Sequence, residues 1–187
     1  MRVTLRLEWD LEAAGLGISG EGGSSPGYVD LREDPAAIEE IEPARLYRPL
    51  RGLLAELNSA ESMFASVGCR TWTKDEPGAV EFGSRVDVIF SVQRHNFQRS
   101  SYESLAGGLR DLLERESGAD TLAAEVCVLR CTFQELGRVG YALRLTLTSR
   151  GSTSGQAELR WGLGVARLQQ ALLFLSRTMR QEQAQKN

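Results

Sequence analysis

Residues 122–149 read LAAEVCVLRCTFQELGRVGYALRLTLTS, and this stretch decides the fold of the chain. Its first arm, Ala123–Phe133, contains an unbroken apolar run, which is typical of a strand buried on both faces. Its second arm, Val139–Leu147, alternates apolar and polar residues, as a strand with one buried face does. The short loop between the arms contains Gly137, which suits a hairpin. We therefore predict a central strand with an antiparallel neighbour, on which the rest of the domain packs.

The remaining elements follow from the same periodicities. Alternation at Val3–Trp9 predicts a first strand, and Asp34 and Pro35 predict the start of a short helix. Apolar spacing predicts further strands and helices, in the order helix 47–66, strand 69–73, strand 80–93, helix 101–116 and helix 155–180. We expect one α+β domain over residues 1–187, with a mixed or mainly antiparallel sheet, helices mainly on one face and a long C-terminal helix. Within it, we expect a flexible glycine-rich loop at 20–27 and a frayed tail at 181–187.

From the first long helix onward, the order α–β–β–α–β–β–α is similar to that of secretion-chaperone-like and roadblock-like domains. The similarity concerns element order and includes no shared motif. Those domains are dimeric binding scaffolds, so the resemblance implies a homodimer that binds other proteins. A START-like arrangement, in which a long C-terminal helix covers a curved sheet and a small-molecule pocket, fits most of the same order. The helix predicted at 101–116 has no place in it.

The composition of the chain limits its number of domains and its classes of partner. The chain has 187 residues, is 42% hydrophobic and carries a net charge of -3, which suits one full core and does not indicate a polyanionic partner. Lysine is rare among its basic residues and arginine abundant, which we attribute to a GC-rich bacterial genome. No apolar run reaches the roughly 18 residues of a membrane span, so we expect a cytoplasmic protein that does not contact a membrane.

The three cysteines do not predict a disulfide framework. Cys127 and Cys131 lie on one strand, with α-carbons roughly 13 Å apart from the strand rise. A disulfide requires less than about 7 Å. We interpret both as small core residues of a protein in a reducing compartment.

No stretch reads as a catalytic signature, and we lean towards a protein that is not an enzyme. The glycines at 20–27 are not followed by the Lys-Ser/Thr pair of a phosphate loop, and one histidine is too few for a typical zinc site. We therefore expect no cofactor and no metal. The alternative is a pocket for an anionic ligand, in which His95 acts as a base and Arg94 and Arg99 hold the anion.

The final helix is apolar on more than one side. Trp161, Val165 and Phe174 fall off its main apolar line, which runs through Leu159 and Leu163. A helix of this kind is buried on two sides, either in a thick core or at an interface with a second copy or another protein. We predict a protein-binding module, a homodimeric scaffold or chaperone-like protein, with Trp161, Val165 and Phe174 at the partner interface.

Nucleic-acid binding ranks third among the hypotheses. It would gather basic and aromatic side chains on one sheet face, namely Arg70, Trp72, Arg85, Arg94, Phe97 and Arg99. The net negative charge opposes this hypothesis.

Overall fold

The computed structural model of the chain describes residues 1–8, 30–115, 121–133 and 136–186. The glycine-rich loop predicted at 20–27 and Trp9 of the predicted first strand lie outside these ranges. The described strands are β1 (Arg2–Glu8), β2 (Phe64–Glu76), β3 (Ala79–Phe90), β4 (Leu122–Phe133) and β5 (Arg138–Gly151). The α-helices are α1 (Glu42–Leu46), α2 (Arg48–Leu57), α3 (Arg99–Arg115) and α4 (Ser154–Lys186), and two 3-10 helices cover Pro35–Glu40 and Gln93–Phe97.

In the described part of the chain, the strands form one mixed sheet in the order β1-β4-β5-β3-β2. β1 runs parallel to β4, and each of the other neighbouring pairs is antiparallel. The long helices α2, α3 and α4 pack on the same face of this sheet. The α+β fold with helices mainly on one face and a long C-terminal helix is therefore confirmed.

The hairpin predicted from the sequence is present as β4 and β5. Val126–Leu129 are all buried, so β4 is covered on both faces, as its unbroken apolar run indicated. β4 lies between β1 and β5, and β5 occupies the middle of the sheet. Gly137 in the connecting loop has a φ of 54°, a conformation that glycine adopts without a steric penalty.

α4 lies at the centre of the helical layer. A Cβ on Gly164 would approach Leu122 and Leu147 to within 3 Å, so this glycine lets α4 lie close to β4 and β5. On one side, Gly162 of α4 is level with Pro49 of α2, and α2 runs parallel to α4. On the other side, α3 contacts α4 and runs antiparallel to it.

The first long helix is shorter than the apolar spacing predicted. α2 ends at Leu57, and Phe64, which we placed in the helix, begins β2 instead. The buried Asn58 ends the helix because its amide donates to Leu54 O and to Ser66 Oγ, while its carbonyl accepts from Ser66 N. This side chain therefore fixes the start of β2 against the end of α2.

Three further details of the strands and helix ends differ from expectation. β2 extends beyond the predicted strand 69–73 at both ends, and the register of its pairing with β3 shifts between Ser66 and Gly68. α3 begins at Arg99, two residues before the predicted start at residue 101. α4 extends to Lys186, beyond the predicted end at residue 180. Within the described ranges, no helix combines the length and the apolar character that a membrane crossing requires.

Candidate functional site

Trp161 and Val165, two of the three residues predicted at a partner interface, are 0% exposed within the single chain. The indole Nε1 of Trp161 donates to Ser84 Oγ at 2.9 Å, and its ring packs edge-on against Tyr47 and Phe82. A buried indole whose N–H has a partner is a stable core residue. Both residues therefore belong to the core of this chain, the alternative that the sequence left open, and neither is available to a partner.

The third residue, Phe174, lies on the opposite side of α4 and is 57% exposed. Leu159 and Leu163, which the sequence placed on the main apolar line, share that side and are 69% and 60% exposed. The most exposed positions recur every three or four residues, so they form one line along the helix. We call this line the outer face of α4, and it consists of Leu159, Leu163, Ala166, Gln170, Phe174 and Arg177.

The packing of α4 explains why this face points to solvent. Trp161, Val165, Leu168 and Leu172 occupy the side that contacts the sheet, and all four are buried. Both sides of the helix are apolar, so hydrophobicity alone does not distinguish them. Gly164 is the sequence feature that indicates which side faces the sheet. It has no side chain, which permits close packing, and it lies beside Val165 on the buried side.

The neighbouring helix adds charges beside the outer face. Arg48, at the start of α2, and Glu56, near its end, are both exposed. Glu56 lines the same groove as Leu173 and Arg177 of α4, which places it on the side of α2 that borders the outer face. An apolar line with exposed charges at its border is the usual composition of a protein-protein interface.

His95, the histidine of the alternative site, contacts polar side chains of the same chain through both of its ring nitrogens. His95 lies on the second 3-10 helix, with Nδ1 3.3 Å from Ser101 Oγ and Nε2 3.1 Å from Gln183 Nε2. Burial, and then the charge of Arg94, lower the pKa of His95, while a hydrogen bond with Gln98 acts in the opposite direction. His95 is therefore favoured in its neutral form and connects this helix to the C-terminal part of α4.

The two arginines of that alternative site have different surroundings. Arg99 forms an ion pair with Glu103 one helical turn further along α3, with Nε 2.8 Å from Oε1. Arg94 is exposed on the 3-10 helix. The Arg99 guanidinium that the alternative assigns to an anionic ligand therefore has a carboxylate neighbour within the chain.

Asn96, next to His95, has a structural role that no sequence pattern indicated. Asn96 is buried, and its side-chain amide accepts from Phe90 N at 2.8 Å and donates to Phe90 O at 2.9 Å. The Tyr102 hydroxyl also donates to Asn96 Oδ1. These bonds hold the 3-10 helix against the end of β3 and so position His95.

The sheet face opposite the helices brings together four of the residues in the nucleic-acid hypothesis, since Phe97 packs against Phe133 on this face. Arg70, Trp72 and Arg85 lie on it, with Arg70 over the indole ring of Trp72. Asp87 on the same face is buried and accepts from two guanidinium nitrogens of Arg144. Arg94 and Arg99 lie away from this face, on the 3-10 helix and on α3.

A cavity and the arrangement of possible metal ligands bear on small-molecule and metal chemistry in the described ranges. A cavity of about 520 Å³ lies beside α2 and includes Arg32 and Arg51, but Arg32 donates to two backbone carbonyls and Arg51 pairs with Glu39. No group of three or more His, Cys, Asp or Glu side chains is arranged to hold a metal there.

The chain matches no protein-family model, and no curated protein or solved structure shows significant similarity to it.

Proposed function

We propose that this chain is a non-enzymatic protein-binding module and that the outer face of α4 is its binding surface. One observation carries the proposal: Leu159, Leu163 and Phe174 are each more than half exposed, on one face of one helix. Complete burial of such a side chain is worth about 1.5–3 kcal/mol. A partner that covers all three therefore gains a substantial part of the free energy of binding.

The rigidity of α4 supports the same proposal. The opposite side of this helix is fixed in the core by Trp161 and Val165. The apolar side chains on the outer face are therefore presented in one arrangement before a partner binds, which lowers the entropic cost of association. A homodimeric scaffold or chaperone-like role, as the order of elements implied, requires a surface of this kind.

The experiment is site-specific photocrosslinking in the cells that produce the protein. A photoreactive phenylalanine analogue replaces Leu163 on the outer face, and the same analogue replaces Thr146 on the opposite sheet face as the matched control. We expect covalent protein adducts, detected by mass, from position 163 and not from position 146. Circular dichroism of both variants checks that the fold is retained.

Two outcomes would contradict the proposal. The first is the absence of protein adducts at position 163 when the variant is folded and present at its normal level. The second is a purified chain that carries an anionic small molecule in native mass spectrometry and loses it on the His95→Ala substitution. The second result would support the pocket at Arg94, His95 and Arg99 instead.

A further inference from the structure

We infer that the partner at the outer face of α4 is a second copy of this chain, bound so that the two α4 helices run antiparallel across a two-fold axis. This inference rests on the proposed function and names its partner. The axis passes beside Ala166 and Arg167, near the middle of the outer face. Three features of the described residues carry the inference: the spacing of the apolar side chains, the distribution of charge and the position of α2.

The outer face is self-complementary about that point. Leu159 and Phe174 lie at equal distances on either side of it, and so do Leu163 and Gln170. In an antiparallel pair, Leu159 of one copy therefore faces Phe174 of the second copy, and the same contact recurs at the other end. A two-fold interface requires this relation, because residue i contacts j and j contacts i. The small Ala166 lies where the two helices come closest.

The charges favour the antiparallel over the parallel arrangement. A parallel pair would place Arg177 of one copy directly against Arg177 of the other and would align the two helix dipoles unfavourably. In the antiparallel pair, the two Arg177 side chains are about 30 Å apart, given a rise of about 1.5 Å per residue. The antiparallel pair also brings the positive end of each helix dipole towards the negative end of the other.

The flanking helix α2 extends the interface with opposite charges. Gly52 of α2 is level with Gln169, and Pro49 is level with Gly162, so the axis crosses α2 near residue 51. The exposed Arg48 and Glu56 lie on either side of that level. The two-fold axis therefore brings Arg48 of one copy within about one helical turn of Glu56 of the other, in two symmetric pairs. A stable interface needs about 800 Å² from each copy, more than one helix supplies, so this contribution is required.

Cysteine crosslinking of the purified full-length chain tests the arrangement. The Ala166→Cys variant should form a disulfide-linked dimer on mild oxidation, because the two α-carbons lie beside the axis. The Leu159→Cys variant should not crosslink with itself, but should crosslink when it is mixed with the Phe174→Cys variant. The unmodified chain is the background control, because burial raises the pKa of Cys69 to about 11 and that of Cys131 to about 12 and leaves little reactive thiolate.

A charge reversal tests the α2 pairs independently. We expect Arg48→Glu to weaken dimerisation about fivefold in sedimentation equilibrium, since two exposed ion pairs become repulsive contacts. Adding Glu56→Arg to the same chain should restore the affinity of the original protein, because each reversed residue then faces its opposite charge. Neither substitution removes a buried group, so the fold is expected to remain.

The outcomes separate this inference from the proposed function. Self-crosslinking of Leu159→Cys would overturn the antiparallel arrangement and leave protein binding intact. A monomer at every concentration, together with adducts of a different protein at position 163, would overturn the second copy as partner while the proposed function stands. A monomer without any protein adduct at position 163 would overturn both.

Discussion

Asp87 is a buried carboxylate with two arginine neighbours on the sheet face opposite the helices. It is buried, and its two oxygens lie 2.8 and 3.1 Å from Nε and Nη2 of Arg144, while Arg85 Nε lies 3.6 Å away. Replacing Asp87 by Asn removes the charge and leaves the half-buried Arg144 with a poorer acceptor. We expect the free energy of unfolding to fall by about 2 kcal/mol, measured by urea denaturation.

A surface pair provides the control for Asp87. Asp111 pairs with Arg110 on α3, where both side chains are well exposed. Solvent screens such a pair, so Asp111→Asn should leave the free energy of unfolding nearly unchanged. Equal and small effects at the two positions would show that the pair of Asp87 and Arg144 contributes no more than a surface ion pair.

Gly83 has a steric role that its sequence position does not reveal. A Cβ at this position would overlap the indole ring of Trp72, which therefore packs directly on the glycine. We expect Gly83→Ala to displace the ring and to lower the free energy of unfolding by about 1–2 kcal/mol. Gly107→Ala on α3 is the matched control: nothing lies within 4 Å of its Cβ, and helix propensity should make it stabilising by about 1 kcal/mol. A stabilising effect at both glycines would refute the role of Gly83.

At the scale of elements, a repeating pattern predicted the structure well, and single side chains then shifted the boundaries. The hairpin of β4 and β5 follows from the alternation within 122–149. The end of α2 cannot be predicted in the same way, because the apolar spacing continues through Phe64. The hydrogen bonds that end the helix join Asn58 to Ser66, a residue of the following strand. Such a contact between elements has no periodicity that a sequence displays.

The second 3-10 helix gives the protein a component of pH-dependent stability through His95. Burial and Arg94 lower the pKa of His95 in the folded state below its ordinary value of 6.5, so between these two values the unfolded chain binds more protons than the folded one. Stability therefore rises with pH in this window, and the contribution is fully present above it. On acidification from pH 7.5 to 5.0, we expect the original protein to lose more stability than the His95→Gln variant, measured by urea denaturation at both values.

The comparison at these two pH values is decisive because other groups titrate equally in both proteins. If the His95→Gln variant loses as much stability as the original protein on acidification, His95 does not contribute to the pH dependence. His95→Gln also keeps a polar side chain beside Ser101 and Gln183, which limits the effect of lost hydrogen bonds.

At the scale of the whole molecule, the sequence identified the helix that carries the candidate surface and not the side that is exposed. From the sequence we predicted Trp161 at a partner interface and placed Leu159 and Leu163 on the main apolar line. The structure buries Trp161 and exposes Leu159 and Leu163. Which side of a doubly apolar helix meets the sheet depends on how closely the two can approach, and here Gly164 determines that distance. The six residues of the outer face are therefore evident only once α4 is placed on the sheet.

The parallel pairing of β1 with β4 has a consequence for the order of events during synthesis. Arg2 pairs with Ala123, so the partner of the N-terminal strand is made much later than the strand itself. At about 5–20 residues per second, a ribosome needs roughly 6–24 s to add the intervening segment. Val3 and Leu5 pack against the core in the folded protein, but throughout this interval the strand with which they pair has not been made. The edge of the sheet is therefore completed late, and the nascent chain carries an unpaired apolar strand until residues 123–129 have been made.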